Sequence, residues 1–132
     1  MPNQLSVKVT EANGLSFELL VDGAPLSEKL QDGNAGIPYW MVEDDLPTFP
    51  PLQKVSPNSA LRIVTVCDCG EYGCGHAHCR IIKSESEVVF DQFQGDLREE
   101  HKGLRLTFSR KNYDEVTRFV VDEARRKNAS FR

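Results

Sequence analysis

The stretch Cys67-Asp68-Cys69-Gly70-Glu71-Tyr72-Gly73-Cys74-Gly75-His76-Ala77-His78-Cys79 lies between two apolar segments, and the rest of the chain is organised around it. It contains all four cysteines and two of the three histidines. The β-branched and apolar residues of 60–67 precede it, and a second apolar segment follows at 77–83, which predicts a strand on each side. Residues 67–79 are therefore predicted to form the loop of a β-hairpin.

Residues 4–22 predict another hairpin, at the amino terminus. Apolar and polar residues alternate on both sides of Asn13-Gly14, a pair that favours a tight turn because both residues tolerate a positive φ. The inward residues are Leu5, Val7, Val9, Leu15, Phe17, Leu19 and Val21. Asp22-Gly23-Ala24-Pro25 is then expected to turn the chain out of the sheet. Further strands are predicted at 87–93 and 104–108.

Residues 112–127 predict an amphipathic helix. Asn112 and Glu115 have the spacing of a capping box at its start. Its apolar stripe consists of Tyr113, Val116, Phe119, Val120, Val121 and Ala124. Strands joined by short turns and followed by one helix indicate an α+β fold in a single domain, 1–132. We expect a largely antiparallel sheet of about five or six strands, with the C-terminal amphipathic helix packed on one face.

Composition excludes several classes of function. The chain has 132 residues, of which 39% are apolar and 27% charged, as in an ordinary folded domain. Its net charge of −4 disfavours a nucleic-acid partner, because phosphate contacts need clustered Lys and Arg. No apolar run approaches the ~20 residues of a membrane span, and no secretory signal is visible. The expected location is cytoplasmic, where cysteines are more often metal ligands or free thiols than disulfides.

The cysteine stretch has the spacing C-x-C-x4-C-x-H-x-H-C, which supplies enough ligands for a structural zinc ion. If 77–83 is extended, His78 and Cys79 point to opposite faces and do not bind the same ion. The predicted metal ligands are Cys67, Cys69 and Cys74, together with either His76 or Cys79.

Other interpretations of the same stretch stay open. In one, the glycines only shape a tight loop, and the cysteines are small buried apolar residues. A disulfide between Cys67 and Cys74 is a further alternative, as is a thiol-redox role. A nucleophilic cysteine would need a nearby base, for which His76, His78 and His101 are candidates. Because no known catalytic motif occurs, an enzyme is not expected.

A resemblance comes from Cys67-Asp68-Cys69-Gly70-Glu71-Tyr72-Gly73-Cys74-Gly75, from Glu87-Val88-Val89-Phe90, and from Leu106-Thr107-Phe108-Ser109-Arg110-Lys111-Asn112-Tyr113. Phe17-Glu18-Leu19-Leu20-Val21-Asp22-Gly23-Ala24-Pro25-Leu26 also fits. Together they resemble a family of small uncharacterised bacterial proteins with a C-x-C-G-x-x-G-C loop between strands and a C-terminal helix. The resemblance implies a bacterial or phage cytosolic protein and supplies no activity. It includes Cys67, Cys69 and Cys74 but not His76, His78 or Cys79.

The segment 33–58 contains five prolines, so its regular structure should be short. Within it, aromatic and apolar residues are followed directly by acidic ones, a pattern that fits a partner-binding surface. The predicted partner-binding residues are Tyr39, Trp40, Met41, Glu43, Asp44 and Asp45. The alternative is that Trp40 covers the open face of the sheet.

The leading hypothesis is a non-enzymatic module that binds another protein, such as an immunity or antitoxin-like inhibitor of a basic toxin or enzyme. Small size, acidic charge and the aromatic-acidic segment motivate it, because an acidic inhibitor is steered towards a basic target. The alternative is a structural zinc-binding protein, and a thiol-redox protein is the third possibility.

Overall fold

The structure is a computed structural model that describes residues 2–10, 15–30, 35–51, 61–66, 76–95 and 99–130. For residues 76, 99 and 127–130 it describes the backbone alone. Within these ranges the order of elements is β1 (Leu5–Thr10), β2 (Ser16–Val21), β3 (Ala24–Pro25), α1 (Leu26–Leu30), β4 (Ile37–Pro38), α2 (Tyr39–Asp44), β5 (Leu61–Val66), β6 (His76–Lys83), β7 (Glu87–Gly95), α3 (Glu99–Lys102), β8 (Leu106–Ser109) and α4 (Arg110–Ser130).

The fold is α+β with antiparallel strands, as predicted, but the strand count is higher than expected. Eight described strands form two sheets of four, where one sheet of five or six was expected. In the first sheet β2 pairs with β1 on one edge and with the two-residue strands β3 and β4 on the other. The second sheet has the order β5-β6-β7-β8. Strands of two residues carry no periodic pattern, so sequence alternation could not reveal them.

The turn at Asp22-Gly23 keeps the chain in the first sheet. The prediction that the chain leaves the sheet at this point is wrong. Asp22 has φ 52° and Gly23 has φ 86°, so both occupy the left-handed region that a two-residue hairpin turn requires. Val21 therefore pairs with Ala24 across the turn. The Asp22 carboxylate accepts hydrogen bonds from Asn3 Nδ2 at 2.9 Å and from the Gln4 backbone N–H at 2.8 Å, which also fixes the start of β1.

Single backbone bridges join the two sheets at both edges. Before β1, Asn3 bridges Phe108 of β8 in parallel, and its N–H donates to the Thr107 carbonyl at 2.6 Å. Before β4, Ala35 and Val66 of β5 exchange hydrogen bonds of 2.7 and 3.3 Å. Backbone pairing therefore runs in a closed circuit through both sheets, which satisfies edge groups that would otherwise be open.

Helix α4 begins two residues before the predicted start and is capped differently. Ser109 Oγ accepts the N–H of Asn112 at 3.0 Å, so the serine is the N-cap residue in place of Asn112. The Asn112 side chain instead bonds the backbone of Leu5. The predicted stripe is buried at Tyr113, Val116, Val120, Val121 and Ala124, whereas Phe119 is exposed. The helix contacts β1, β7, β8 and α2.

The core is built around aromatic rings from both sheets, from α4 and from the proline-containing segment. Phe90 packs edge-on against Phe108 and Tyr113, with ring centroids 4.9 and 6.3 Å apart. Phe17 packs edge-on against Phe49 at 6.4 Å. Phe49 is only 2% exposed, and its carbonyl accepts the Tyr113 hydroxyl at 2.7 Å. The segment 46–51 is therefore fixed by the core despite its prolines.

Candidate functional site

Helix α2 presents one aromatic and two acidic side chains on a single face. Trp40, Glu43 and Asp44 have i, i+3 and i+4 spacing, so they are neighbours on the helix surface. Trp40 is 44% exposed, and both carboxylate residues are exposed. We call Trp40, Glu43 and Asp44 the α2 surface. An indole that is nearly half exposed fits a partner-binding residue better than a cover for the sheet.

The other residues of the predicted partner-binding set hold α2 in place. Met41 is 1% exposed and lies in the core beside Val42, so it is not available to a partner. Tyr39 is half-buried, and its hydroxyl donates to the Ala124 carbonyl of α4 at 3.2 Å. Burial, followed by the nearby Glu43 carboxylate, raises the pKa of Tyr39, so its phenol stays protonated. Asp45 is half-buried at the C-terminal end of the helix.

The acidic residues of the α2 surface lie where the helix itself disfavours them. The C-terminal turn of a helix carries a partial negative charge and favours cations. Glu43 and Asp44 occupy this turn, and α2 contains no basic residue. Their placement therefore costs local stability instead of adding to it. Acidic residues at a helix C-terminus go against this preference for cations. Such a departure on an exposed surface, next to an exposed tryptophan, is typical of a functional constraint.

The predicted metal ligands are only partly described. Cys67, Cys69 and Cys74 lie outside the described residues, and so does the His76 side chain. Cys79 lies in β6 opposite Arg62 and is 0% exposed. Burial raises the pKa of the Cys79 thiol well above its usual range, and the nearby Asp91 raises it further. Because a metal binds the thiolate, the buried thiol fits a small apolar core residue better than a ligand.

His78 and His101, the two histidines whose side chains the structure describes, form no metal-binding cluster with Cys79. His78 is half-buried on the opposite face of β6 from Cys79, as strand alternation predicted. His101 lies in α3, with Nε2 3.5 Å from a Glu100 carboxylate oxygen. Among the described residues, no group of three or more His, Cys, Asp and Glu side chains could hold a metal ion. The zinc site in the 67–79 loop stays a prediction.

Cys79 is expected to resist alkylation in the native protein. Iodoacetamide reacts with an accessible thiolate, and this thiol is neither accessible nor ionised near pH 8. Peptide mapping by mass spectrometry after brief labelling should find Cys79 unmodified without denaturant. It should be fully modified in about 6 M guanidinium, which unfolds most domains. Labelling of the native protein at the denatured rate would show that the thiol is open to solvent.

The sequence predicted the segment that contains the α2 surface but not which of its residues face outward. The block of residues 39–45 was singled out by composition alone. Applying helical spacing to it would have separated Trp40, Glu43 and Asp44 from the buried Met41 and Val42. The prolines hid that signal, because they favoured irregular structure over a six-residue helix.

Comparison with protein-family models, with curated proteins and with solved structures gave no match for this chain. The resemblance to small bacterial proteins with a C-x-C-G-x-x-G-C loop therefore stays a prediction. In the part of the chain that the structure describes, no helix combines the length and apolar character that crossing a bilayer requires.

Proposed function

We propose that this chain is a non-enzymatic cytosolic protein of bacterial or phage origin that binds another protein through the α2 surface, as an immunity or antitoxin-like inhibitor does. The observation that carries the proposal is the exposed Trp40 flanked by Glu43 and Asp44 on a helix whose opposite face is fixed in the core. Tryptophan is one of the residue types most enriched in binding hot spots.

Electrostatics indicates the kind of partner. The two carboxylates of the α2 surface are part of an overall charge of −4, so a positively charged target is attracted at long range. A basic toxin or enzyme fits this requirement. The α2 surface is also pre-organised, because Tyr39 is hydrogen-bonded to α4 and Met41 lies in the core. Little conformational entropy is then lost on binding.

Trp40→Ala is expected to weaken binding of the product of the neighbouring gene by about 30-fold or more, which corresponds to the ~2 kcal/mol of a hot spot. The purified chain and the neighbouring gene product would be titrated by calorimetry. Reversing both charges, with Glu43→Lys and Asp44→Lys, should lower the association rate and weaken its dependence on salt.

The matched control is Ile82→Ala on β6, because Ile82 is also 44% exposed and apolar. This variant should bind as tightly as the wild type, and both single variants should keep the wild-type melting temperature within a few degrees. The proposal fails if the wild-type chain forms no stable complex with that product, or if Ile82→Ala weakens binding as much as Trp40→Ala does.

A further inference from the structure

Two basic side chains converge on the buried Tyr113. The phenol is 2% exposed and accepts a hydrogen bond from Arg62 Nη1 at 3.0 Å, while it donates to the Phe49 carbonyl at 2.7 Å. Lys83 Nζ lies 5.3 Å from the centroid of the same ring, in cation–π contact. Arg62 comes from β5 and Lys83 from the end of β6, so the second sheet brings them to one place.

A third cation stands beside them but is already neutralised. Arg110, at the start of α4, has its Nε 3.0 Å from Asp114 Oδ1 and donates from Nη1 to the Ser84 carbonyl at 3.0 Å. Asp114 therefore compensates Arg110. The remaining two positive charges, on Arg62 and Lys83, form what we call the Tyr113 basic cluster.

The cluster carries an electrostatic cost. The pKa of Lys83 is lowered, first by partial burial and then by the positive charges of Arg62 and Arg110, while Asp114 acts in the opposite direction. Among the described residues, repulsion from these two cations thus outweighs the attraction of Asp114. The chain has more acidic residues (20) than basic ones (16), so a local excess of positive charge is not explained by its composition. An anion with two negative charges would remove the repulsion.

We propose that Arg62 and Lys83 bind a phosphate group beside Tyr113, either as the free anion or as part of a small phosphomonoester. The charge of a phosphate group near pH 7, about −1.5 to −2, matches the two positive charges of Arg62 and Lys83. The hydrogen bond to Tyr113 uses one of the five N–H donors of Arg62 and fixes the plane of its guanidinium group. The other donors suit the paired oxygens of a phosphate, and Lys83 supplies a point charge.

The test compares Lys83→Met with Lys8→Met, because each removes one exposed lysine charge and Lys8 lies on β1 in the other sheet. Each protein would be titrated with inorganic phosphate and with glycerol phosphate by calorimetry. Melting would be followed in phosphate and in chloride at equal ionic strength. Phosphate stabilises folded proteins more than chloride even without a binding site. The rise in melting temperature from chloride to phosphate should therefore be larger for the wild type and Lys8→Met than for Lys83→Met. Lys83→Met should weaken phosphate binding about tenfold, whereas Lys8→Met should bind as the wild type does.

Tighter binding of inorganic phosphate would assign the site to the free anion, and tighter binding of glycerol phosphate would assign it to an ester. The proposal is overturned if phosphate stabilises the wild type no more than chloride, or if the two lysine variants bind phosphate equally. Lys83 was chosen over Arg62 because its side chain is exposed, so the variant tests binding without removing the hydrogen bond to Tyr113. The cluster lies outside the α2 surface, so its test is independent of the function proposed above.

Discussion

Gly36→Ala is expected to destabilise the fold by about 3 kcal/mol, at the upper end of the usual cost of overpacking. A Cβ atom at Gly36 would lie 2.9 Å from each of three atoms: the Phe17 carbonyl carbon, the Phe17 oxygen and the Glu18 nitrogen. All three belong to the backbone of β2, which pairs on both edges and therefore has little freedom to shift. The added methyl group can be accommodated only by moving one strand away from the other.

Gly36 also lies at the junction between the two sheets. Ala35 on one side bridges Val66 of β5, and Ile37 on the other pairs with Phe17 of β2. Displacing residue 36 therefore strains both connections at once. We expect the variant to lose stability without gaining any compensating contact, since the new methyl group meets backbone in place of an apolar pocket.

The control for this prediction is Gly103→Ala. Nothing lies within 4 Å of a Cβ built at Gly103, and its φ is not in the left-handed region. The control should be neutral or stabilised by about 0.4–1 kcal/mol, because alanine restricts the unfolded chain. Urea unfolding of the three proteins measures the difference from the shift in midpoint at constant slope. Equal midpoints for the two variants would show that Gly36 has room for a side chain.

The sequence predicted the elements that local patterns define. The hairpin of β1 and β2 and the C-terminal helix were found because alternation and helical spacing act within a few residues. The second sheet was found strand by strand, but its separation from the first was not. The arrangement of the two sheets depends on β4, which completes the first sheet, and on the bridges at Asn3 and Ala35, which connect the sheets. These pairings join residues far apart in the chain and leave no periodic signal.

The N-cap of α4 was also mispredicted, because a contact between residues distant in the chain decides it. Ser109 and Asn112 are both good N-cap residues, and the glutamate three positions after Asn112 favoured the later start. Asn112 is instead used by the Leu5 backbone, 107 positions away. In the α2 surface, composition identified Trp40 and the acidic residues but did not separate them from Met41, which is buried in the core.

Asn112→Asp is expected to cost about 3 kcal/mol at pH 7, although the two side chains have the same shape. Asn112 acts as a short strand partner: its Oδ1 accepts the Leu5 N–H at 2.7 Å, and its Nδ2 donates to the Leu5 carbonyl at 2.9 Å. Aspartate keeps the acceptor but loses the donor, and it places a carboxylate against a carbonyl oxygen at a site only 9% exposed. Both the unpaired carbonyl and the buried charge oppose folding.

The pH dependence of this variant separates the charge from the shape of the side chain. A carboxyl group that is buried beside a carbonyl oxygen has a folded-state pKa above its unfolded value of about 3.9. The folded state then binds more protons than the unfolded state, so stability falls as pH rises through that interval. Relative to the wild type, Asn112→Asp should recover stability between pH 7 and pH 5, because the protonated acid can donate to the Leu5 carbonyl.

Gln94→Glu is the matched control, since it makes the same amide-to-acid change at an exposed position on β7. It should change stability by no more than about 0.5 kcal/mol and show no recovery at lower pH. Denaturant unfolding at pH 7 and pH 5 distinguishes the two variants. If both lose the same stability at each pH, the Asn112 amide does not hold β1 to the helix. If Asn112→Asp alone recovers, the two hydrogen bonds to Leu5 are what join the first strand to α4.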